Sequence, residues 1–239
     1  VLFIPVWDTN PLEKIRFQVV TLVLVAANVF IYVVFQSGLI ATASLESILG
    51  FALIPAELLN AGLFGDTEYQ VFGGQTPVPE RLTLVSYMFL HGNLMHLVGN
   101  MAFLWVFGDN VEDAMGHIRF AMFYLMCGIF AGLVHALAAP GSPQPLIGAS
   151  GATSGVIAAY LMLHPKVRLW VLALPFFPLR ISAGIALGIW VGFQLFSLFF
   201  SSDPHTAWWA HVGGLGAGAL LILFMRRPGV PLFDRIPGA

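Results

Sequence analysis

Ser150, His211, His96 and Asn100 are polar residues set in apolar surroundings, and together they are the groups that acyl transfer uses. A serine hydroxyl is a poor nucleophile until a neighbouring base takes its proton, and a neutral imidazole can do so near pH 7. The tetrahedral intermediate then needs donors for its oxyanion, a task that suits the Asn100 amide, the His96 ring and the Ser150 backbone N–H. Ser150 lies in the run Gly148-Ala149-Ser150-Gly151 and His211 in Ala210-His211-Val212-Gly213-Gly214. His96 and Asn100 are four residues apart and share one face of a helix. His135 is a second candidate for the base. It is flanked by Leu133, Val134 and Leu137, which would hold a partner helix off, whereas Gly213, Gly214 and Gly216 beside His211 leave a flat face.

The elements that must hold these groups belong in a bilayer. Of 239 residues, 58% are hydrophobic and only 9% charged, against about 25% charged in a soluble domain, and the mean hydropathy is +0.86. A membrane helix takes about 20 mostly apolar residues, and the runs are long and do not alternate as strands would. The expected fold is an all-α membrane protein, a single domain over residues 1–226 with six transmembrane helices and a short cytoplasmic tail, 227–239. The spans are expected at about 17–36, 83–108, 120–139, 146–163, 181–202 and 206–225. Proline and glycine in Pro140-Gly141-Ser142-Pro143-Gln144-Pro145 separate the third from the fourth.

With the N-terminus in the cytoplasm, all of the ten Lys and Arg except Arg81 fall inside, as the positive-inside rule requires. The second, fourth and sixth spans then run inward together. At about 1.5 Å per residue, Ser150 and His211 lie some 6–8 Å below the outer boundary. The external segment from Ile40 to Leu82 carries apolar stretches such as Leu45–Leu63 that suit short helices on the membrane surface. Ala41-Thr42-Ala43 resembles a signal-cleavage site, but the apolar run before it is longer than the usual h-region of about 7–15 residues. The ten cations form no basic stripe, so nucleic acid is not an expected partner. The single Cys127 forms no internal disulfide. No His-Glu-x-x-His occurs, which argues against a metalloprotease.

Each element also has a plainer reading. Gly-x-Ser-Gly suits any glycine-rich helix, Asn100 can bind a neighbouring helix, and a histidine in a span more often packs than reacts. The combination on three co-oriented spans carries the argument. There the run Phe89-Leu90-His91-Gly92-Asn93-Leu94-Met95-His96-Leu97-Val98-Gly99-Asn100, with Gly148-Ala149-Ser150-Gly151 and Ala210-His211-Val212-Gly213-Gly214, resembles the signatures of the rhomboid intramembrane serine proteases, in the family's order. The resemblance covers nearly the whole chain. It implies a six-helix bundle, a Ser150–His211 dyad without a third acid, and His96 and Asn100 as oxyanion donors. It also implies single-span membrane proteins as substrates, and neither metal nor other cofactor; His91 matches a recurrent position read as structural. A bacterial inner membrane, with both termini in the cytoplasm, is the expected location.

Two positions depart from the family pattern. Leu82-Thr83 stand where Trp-Arg is common, which questions how that loop is anchored, and Ser154 stands where some members stack an aromatic on the catalytic histidine. Two other functions compete. An inactive rhomboid-like protein that binds membrane clients would share the fold but not need both Ser150 and His211. A small transporter would use His91, His96, His135 and His211 to line a path, but it leaves the Gly-Ala-Ser-Gly run unexplained.

Overall fold

Most of the long apolar runs fold as helices in the computed structural model, which describes residues 3–40, 48–61, 78–173, 177–201 and 206–234. The elements begin with β1 (Phe3–Asp8), α1 (Val19–Ile31, prolonged by the π-helical turn Tyr32–Gln36), α2 (Pro55–Ala61) and α3 (Glu80–Ser86, then a 3₁₀ turn Tyr87–Phe89). They continue with α4 (Leu94–Met115), α5 (His117–Ala138), α6 (Ser150–Leu163), β2 (Arg168–Ala173), β3 (Phe177–Ser182), α7 (Ala183–Phe200) and α8 (Trp208–Met225). Ala41-Thr42-Ala43 lies outside the described residues.

Among the described residues, four segments are long and apolar enough to cross a membrane: Val19–Gln36, α5, α7 and α8. The other two expected spans differ in kind. α6 is apolar but has only 14 residues, about 21 Å at 1.5 Å per residue against a hydrocarbon core of about 30 Å. The run expected as one span over 83–108 is broken. Leu90 turns extended, and α4 restarts at Leu94 with the Asn93 side chain accepting from the His96 N–H. That cap is what a helix start asks for. α4 then passes Gly108 to include buried Glu112 and Asp113. These carboxylates are paired: Glu112 accepts from the Val20 and Thr21 N–H groups and the Thr21 hydroxyl, and Asp113 accepts from the N–H groups of Glu13, Lys14 and Ile15. The cost of burying charge is thus offset, and the entry of α1 is fixed to the end of α4.

The central helix is α6, buried from Gly151 to Tyr160 and packed among α4, α5 and α8. Its approach to α8 rests on glycine. A Cβ on Gly214 would fall on the Gly151 carbonyl oxygen, and one on Gly218 on that of Gly155. Backbone therefore touches backbone, as small-residue spacing in membrane helices permits.

The all-α expectation is corrected by a three-stranded antiparallel sheet in the order β1-β2-β3. Trp7 pairs with Trp170, and Trp170 with Arg180. Six-residue strands are too short for a search for long apolar runs to find. Their alternation is visible in β2, where Leu169 and Val171 are buried between exposed Arg168 and Trp170. The tail does not hang free over residues 227–234: the Arg227 N–H donates to Ala114 O, Phe233 to Met162 O and Asp234 to Leu163 O. Of the segment expected to be external, the described part carries the short helix α2, and Leu58 of α2 is fully buried, with Leu53 and Ile54 just before it.

These contacts gather the sheet, the α4–α5 junction, the end of α6 and the tail at one end of the bundle. Lys14, Arg16, Arg119, Lys166, Arg168, Arg180, Arg226 and Arg227 are at that end and Arg81 is at the other, while Arg235 lies outside the described residues.

Candidate active site

Ser150 opens α6, and the turn that delivers it is pinned twice. Leu53 and Leu146 exchange backbone hydrogen bonds of 3.1 and 2.8 Å, and the Gly148 N–H donates to Tyr87 O at 2.9 Å. Gly148 has φ +117°, and a Cβ there would meet two ring atoms of His96 at 2.7 Å. Only glycine takes that backbone and leaves the ring its place. A helix start has N–H groups without intrahelical acceptors and a positive dipole end, and both lie at Ser150.

His211, in the first turn of α8, brings Nε2 to 2.9 Å from Ser150 Oγ. The backbone contact of Gly214 with Gly151 makes that distance possible. Nδ1 of the same ring lies 2.7 Å from Gln194 Oε1 on α7. Trp208 stands edge-on to the imidazole at 5.9 Å and Trp190 tilts over it at 6.5 Å. Sequence reasoning missed Gln194. Its signal was the one amide side chain inside the fifth run, where an unpaired amide is costly.

Asn100 is buried, and its Nδ2 has no hydrogen-bond acceptor among the described residues. A Cβ on Gly148 would lie 3.7 Å from that same nitrogen, so an uncommitted donor sits beside the turn that carries the serine. Ser150, His211, His96 and Asn100 line one cavity of about 640 Å³, together with Phe103, Trp190 and Gln194. The four sequence candidates are therefore brought together. Among the described residues, no cluster of His, Cys, Asp and Glu is arranged to hold a metal ion.

His135 lines the same cavity, but no hydrogen bond joins it to Ser150 among the described residues, and its Nδ1 has no partner there. The expectation that bulky neighbours would keep its helix distant is not met. Val134 packs so tightly on Gly213 that a Cβ there would lie at 2.8 Å. His91 is buried behind His96, the two rings edge-on at 5.1 Å. The departures also find their contacts. Ser154 Oγ donates to the Ser150 carbonyl at 2.7 Å, one turn back on the helix. The aromatic neighbours of His211 come from Trp190 and Trp208 instead. Leu82 is half exposed, while Thr83 is buried and donates to Glu80 O at 2.6 Å.

Comparison with known proteins adds to this geometry. The Rhomboid domain model matches residues 79–228. Presenilin-associated rhomboid-like protein A, mitochondrial, of Danio rerio is 32% identical over 161 residues, covering 62% of this chain and 40% of that protein. The Homo sapiens presenilin-associated rhomboid-like protein, mitochondrial, is 36% identical over 101 residues, 41% of this chain and 26% of that protein. RHOMBOID-like protein 5 of Arabidopsis thaliana is 30% identical over 149 residues, 62% of this chain and 45% of that protein. The chain thus spans less than half the length of these relatives. The domain match runs from the start of α3 past the end of α8 and takes in every residue of the Ser150 cavity, so this multi-pass membrane protein belongs to the rhomboid family.

Proposed function

We propose that the chain is an intramembrane serine endopeptidase that cuts single-span membrane proteins in or beside the bilayer. The observation that carries the reading is the 2.9 Å contact between His211 Nε2 and Ser150 Oγ at the free N-terminus of α6. A base must come within about 2.6–3.2 Å of the proton-bearing atom it serves, and this pair does. In the reading, Nε2 takes the hydroxyl proton as Oγ attacks the scissile carbonyl carbon. The oxyanion is met by Asn100 Nδ2, a His96 ring N–H and the Ser150 backbone N–H. The protonated His211 then gives its proton to the leaving amine, and the acyl ester remains on Ser150. Water enters through the cavity, loses a proton to His211 and attacks the acyl carbon; the C–Oγ bond then breaks, His211 returns the proton to Oγ, and the product leaves as a carboxylic acid.

The shortness of α6 supports the depth assignment. With its far end at the inner boundary, a helix of about 21 Å starts below the outer boundary of a core of about 30 Å, so the serine meets water inside the membrane level. The basic end of the bundle is assigned to the cytoplasm by its charge, and a bacterial inner membrane remains the proposed location. Labelling of exposed cysteines introduced at Arg81 and Arg168 from each side of intact vesicles tests that orientation. Labelling of position 81 only from the cytoplasmic side and of position 168 only from the outer side would reverse it.

The deciding experiment uses purified protein in detergent with a model single-span substrate. Wild type should cleave and should take a fluorophosphonate probe on Ser150; Ser150→Ala should do neither. Ser154→Ala, which removes only the donor to the Ser150 carbonyl, should retain part of the activity. Cleavage by Ser150→Ala at the wild-type rate would end the serine mechanism. For the base, His211→Ala should lose cleavage and most labelling, and His135→Ala should stay near wild type. The reverse pattern would hand the role to His135.

A further inference from the structure

We propose that Gln194 is the positioning residue for the general base, holding His211 in its reactive tautomer, and that it thereby ties the base to the seat of α7. The proposal rests on the serine endopeptidase reading.

The surroundings of Gln194 make it unusual on its own helix. Ile189, Phe193, Leu195 and Phe196 are exposed on α7, whereas Gln194 is only 4% exposed. A buried amide in an apolar span is costly unless paired, and the observed pairing is Gln194 Oε1 with His211 Nδ1 at 2.7 Å. A neutral imidazole carries one N–H. If that proton is on Nδ1 and is donated to Oε1, the lone pair of Nε2 faces Ser150 Oγ, as the base requires. If the amide is turned over, its NH₂ donates to Nδ1. The proton then moves to Nε2 and points at the serine, and the base is disarmed. An acceptor at this position therefore selects the working tautomer and continues to accept from Nδ1–H when Nε2 is protonated during the reaction. A neutral amide does this without a second buried charge, which would be expensive to desolvate. The titratable groups facing His211 are His96 on α4 and His135 on α5; neither offers an acceptor to Nδ1 among the described residues.

The bond crosses from the packed part of the bundle to α7, whose glycines leave one face open. Gly188 and Gly192 on α7 have nothing within 4 Å of a built Cβ. Near the site, α7 is held by Trp190 against Phe103 at 5.8 Å, by Phe193 against Trp208 at 5.8 Å, and by Gln194 on His211. Outward movement of α7 far enough to admit a helix breaks the Gln194 bond, and the tautomer lock returns only when α7 reseats. Entry and chemistry then occur in turn, with the base armed after the substrate is enclosed.

Gln194→Leu, Gln194→Asn and Gln194→Glu separate this role from packing. Packing in an apolar span favours leucine and penalises a carboxylate. Positioning predicts the opposite, because glutamate can only accept and leucine cannot. Gln194→Leu should lower both kcat and the rate of fluorophosphonate labelling by roughly 10–100-fold, part of the 10²–10⁴ that a general base supplies, with KM little changed. Gln194→Asn, one methylene short, should fall between leucine and wild type. Gln194→Glu should keep labelling near wild type and move the acidic limb of the rate profile to higher pH, because a carboxylate favours the imidazolium. Imidazole ¹⁵N shifts should place the proton on Nδ1 in wild type and spread it over both nitrogens in Gln194→Leu. Wild-type labelling, pH profile and tautomer in Gln194→Leu would overturn the proposal while leaving the protease reading intact. Absence of Ser150 labelling in the wild-type protein itself would overturn the protease reading instead.

Discussion

Two glycine series at four-residue spacing run through this bundle, and they do opposite things. Gly151 and Gly155 on α6 meet Gly214 and Gly218 on α8 with no room for a single added carbon. On α7, Gly184 touches the Pro165 carbonyl, but Gly188 and Gly192 face open space. The first series brings two backbones together so that a serine and a histidine on different helices can share a proton. The second leaves one face of a helix without a close neighbour at Gly188 and Gly192. Small residues in a membrane helix permit close approach; whether the approach occurs depends on what the facing helix offers. α8 offers glycine to α6, while nothing within reach is offered to the face of α7 that carries Gly188 and Gly192.

The comparison breaks most sharply at the glycines themselves. Gly214→Val should remove cleavage and Ser150 labelling together and lower the unfolding temperature in detergent. The added carbons land on a carbonyl that cannot move away, so the loss should exceed the ~1–3 kcal/mol usual for overpacking. Gly188→Ala meets no atom and gains helix propensity of about 1 kcal/mol, so thermal stability should hold or rise, with probe labelling kept. Equal damage from both variants would mean that α7 is packed as tightly as α8.

The next effect concerns the donors on the tight side. Removing one oxyanion donor typically costs about 10²–10³ in rate. The Ser150 backbone N–H remains when Asn100 is truncated, so Asn100→Ala should lose about 10²-fold in kcat with its fold intact, and His96→Ala somewhat less. Unchanged turnover in the double variant would take both side chains out of the chemistry.

On the loose side the effects should be smaller and of both signs. Trp190→Ala with Phe193→Ala releases α7 from Phe103 and Trp208 and should raise cleavage of membrane-embedded substrates a few-fold. Phe103→Cys with Trp190→Cys, bridged by a short bifunctional thiol reagent, should do the reverse. Cys127 is buried and free, so it should not compete for the reagent. The bridged protein should still react with the small fluorophosphonate. Loss of labelling along with cleavage would point to a blocked cavity, and loss of neither would direct substrate entry to another side.

Much of the site was legible because its residues are expensive where they stand. Ser150, His211, His96 and Asn100 stood out as polar groups in apolar runs, and Gly213, Gly214 and Gly216 as a flat face that lets a partner helix come close. What was not legible depended on partners distant in sequence. Gln194 drew no attention because it stands in no recognisable motif, and its value comes from a ring 17 residues away on another helix. The break at Leu90–Asn93 is invisible in a hydropathy window, since Asn93 interrupts the run by capping and not by charge. The span expected to stop at 108 runs on to Met115, because the charges of Glu112 and Asp113 are satisfied by backbone about 90 to 100 residues earlier. The sheet was missed because β1 pairs with a strand about 160 to 170 residues later and each strand has only six residues.

The smallest effect tests whether the corner formed by α2 and α3 belongs to the tight side. Leu53 and Leu84 pack on Gly132 of α5, where a Cβ would lie 2.8 Å from Leu53 Cδ1, so by packing it does. Its weak point is Glu80, at the start of α3. Burial, with the Glu57 carboxylate adding to it, pushes Glu80 up to about 7 from 4.5, and its Oε2 has no hydrogen-bond partner among the described residues. Between those two pH values the folded chain keeps a proton that the unfolded chain has released. Stability must therefore fall as pH rises through that window, and the penalty is complete above pH 7. Glu80→Gln removes the titration while keeping the shape. It should match wild type at pH 4 and unfold a few degrees higher at pH 8, a modest gain because the side chain is only half buried. Thermal unfolding of both proteins in one detergent across pH 4–8 measures the difference. Parallel curves would show that Glu80 is satisfied in the folded state, and the corner would then be as well matched as the α6–α8 contact.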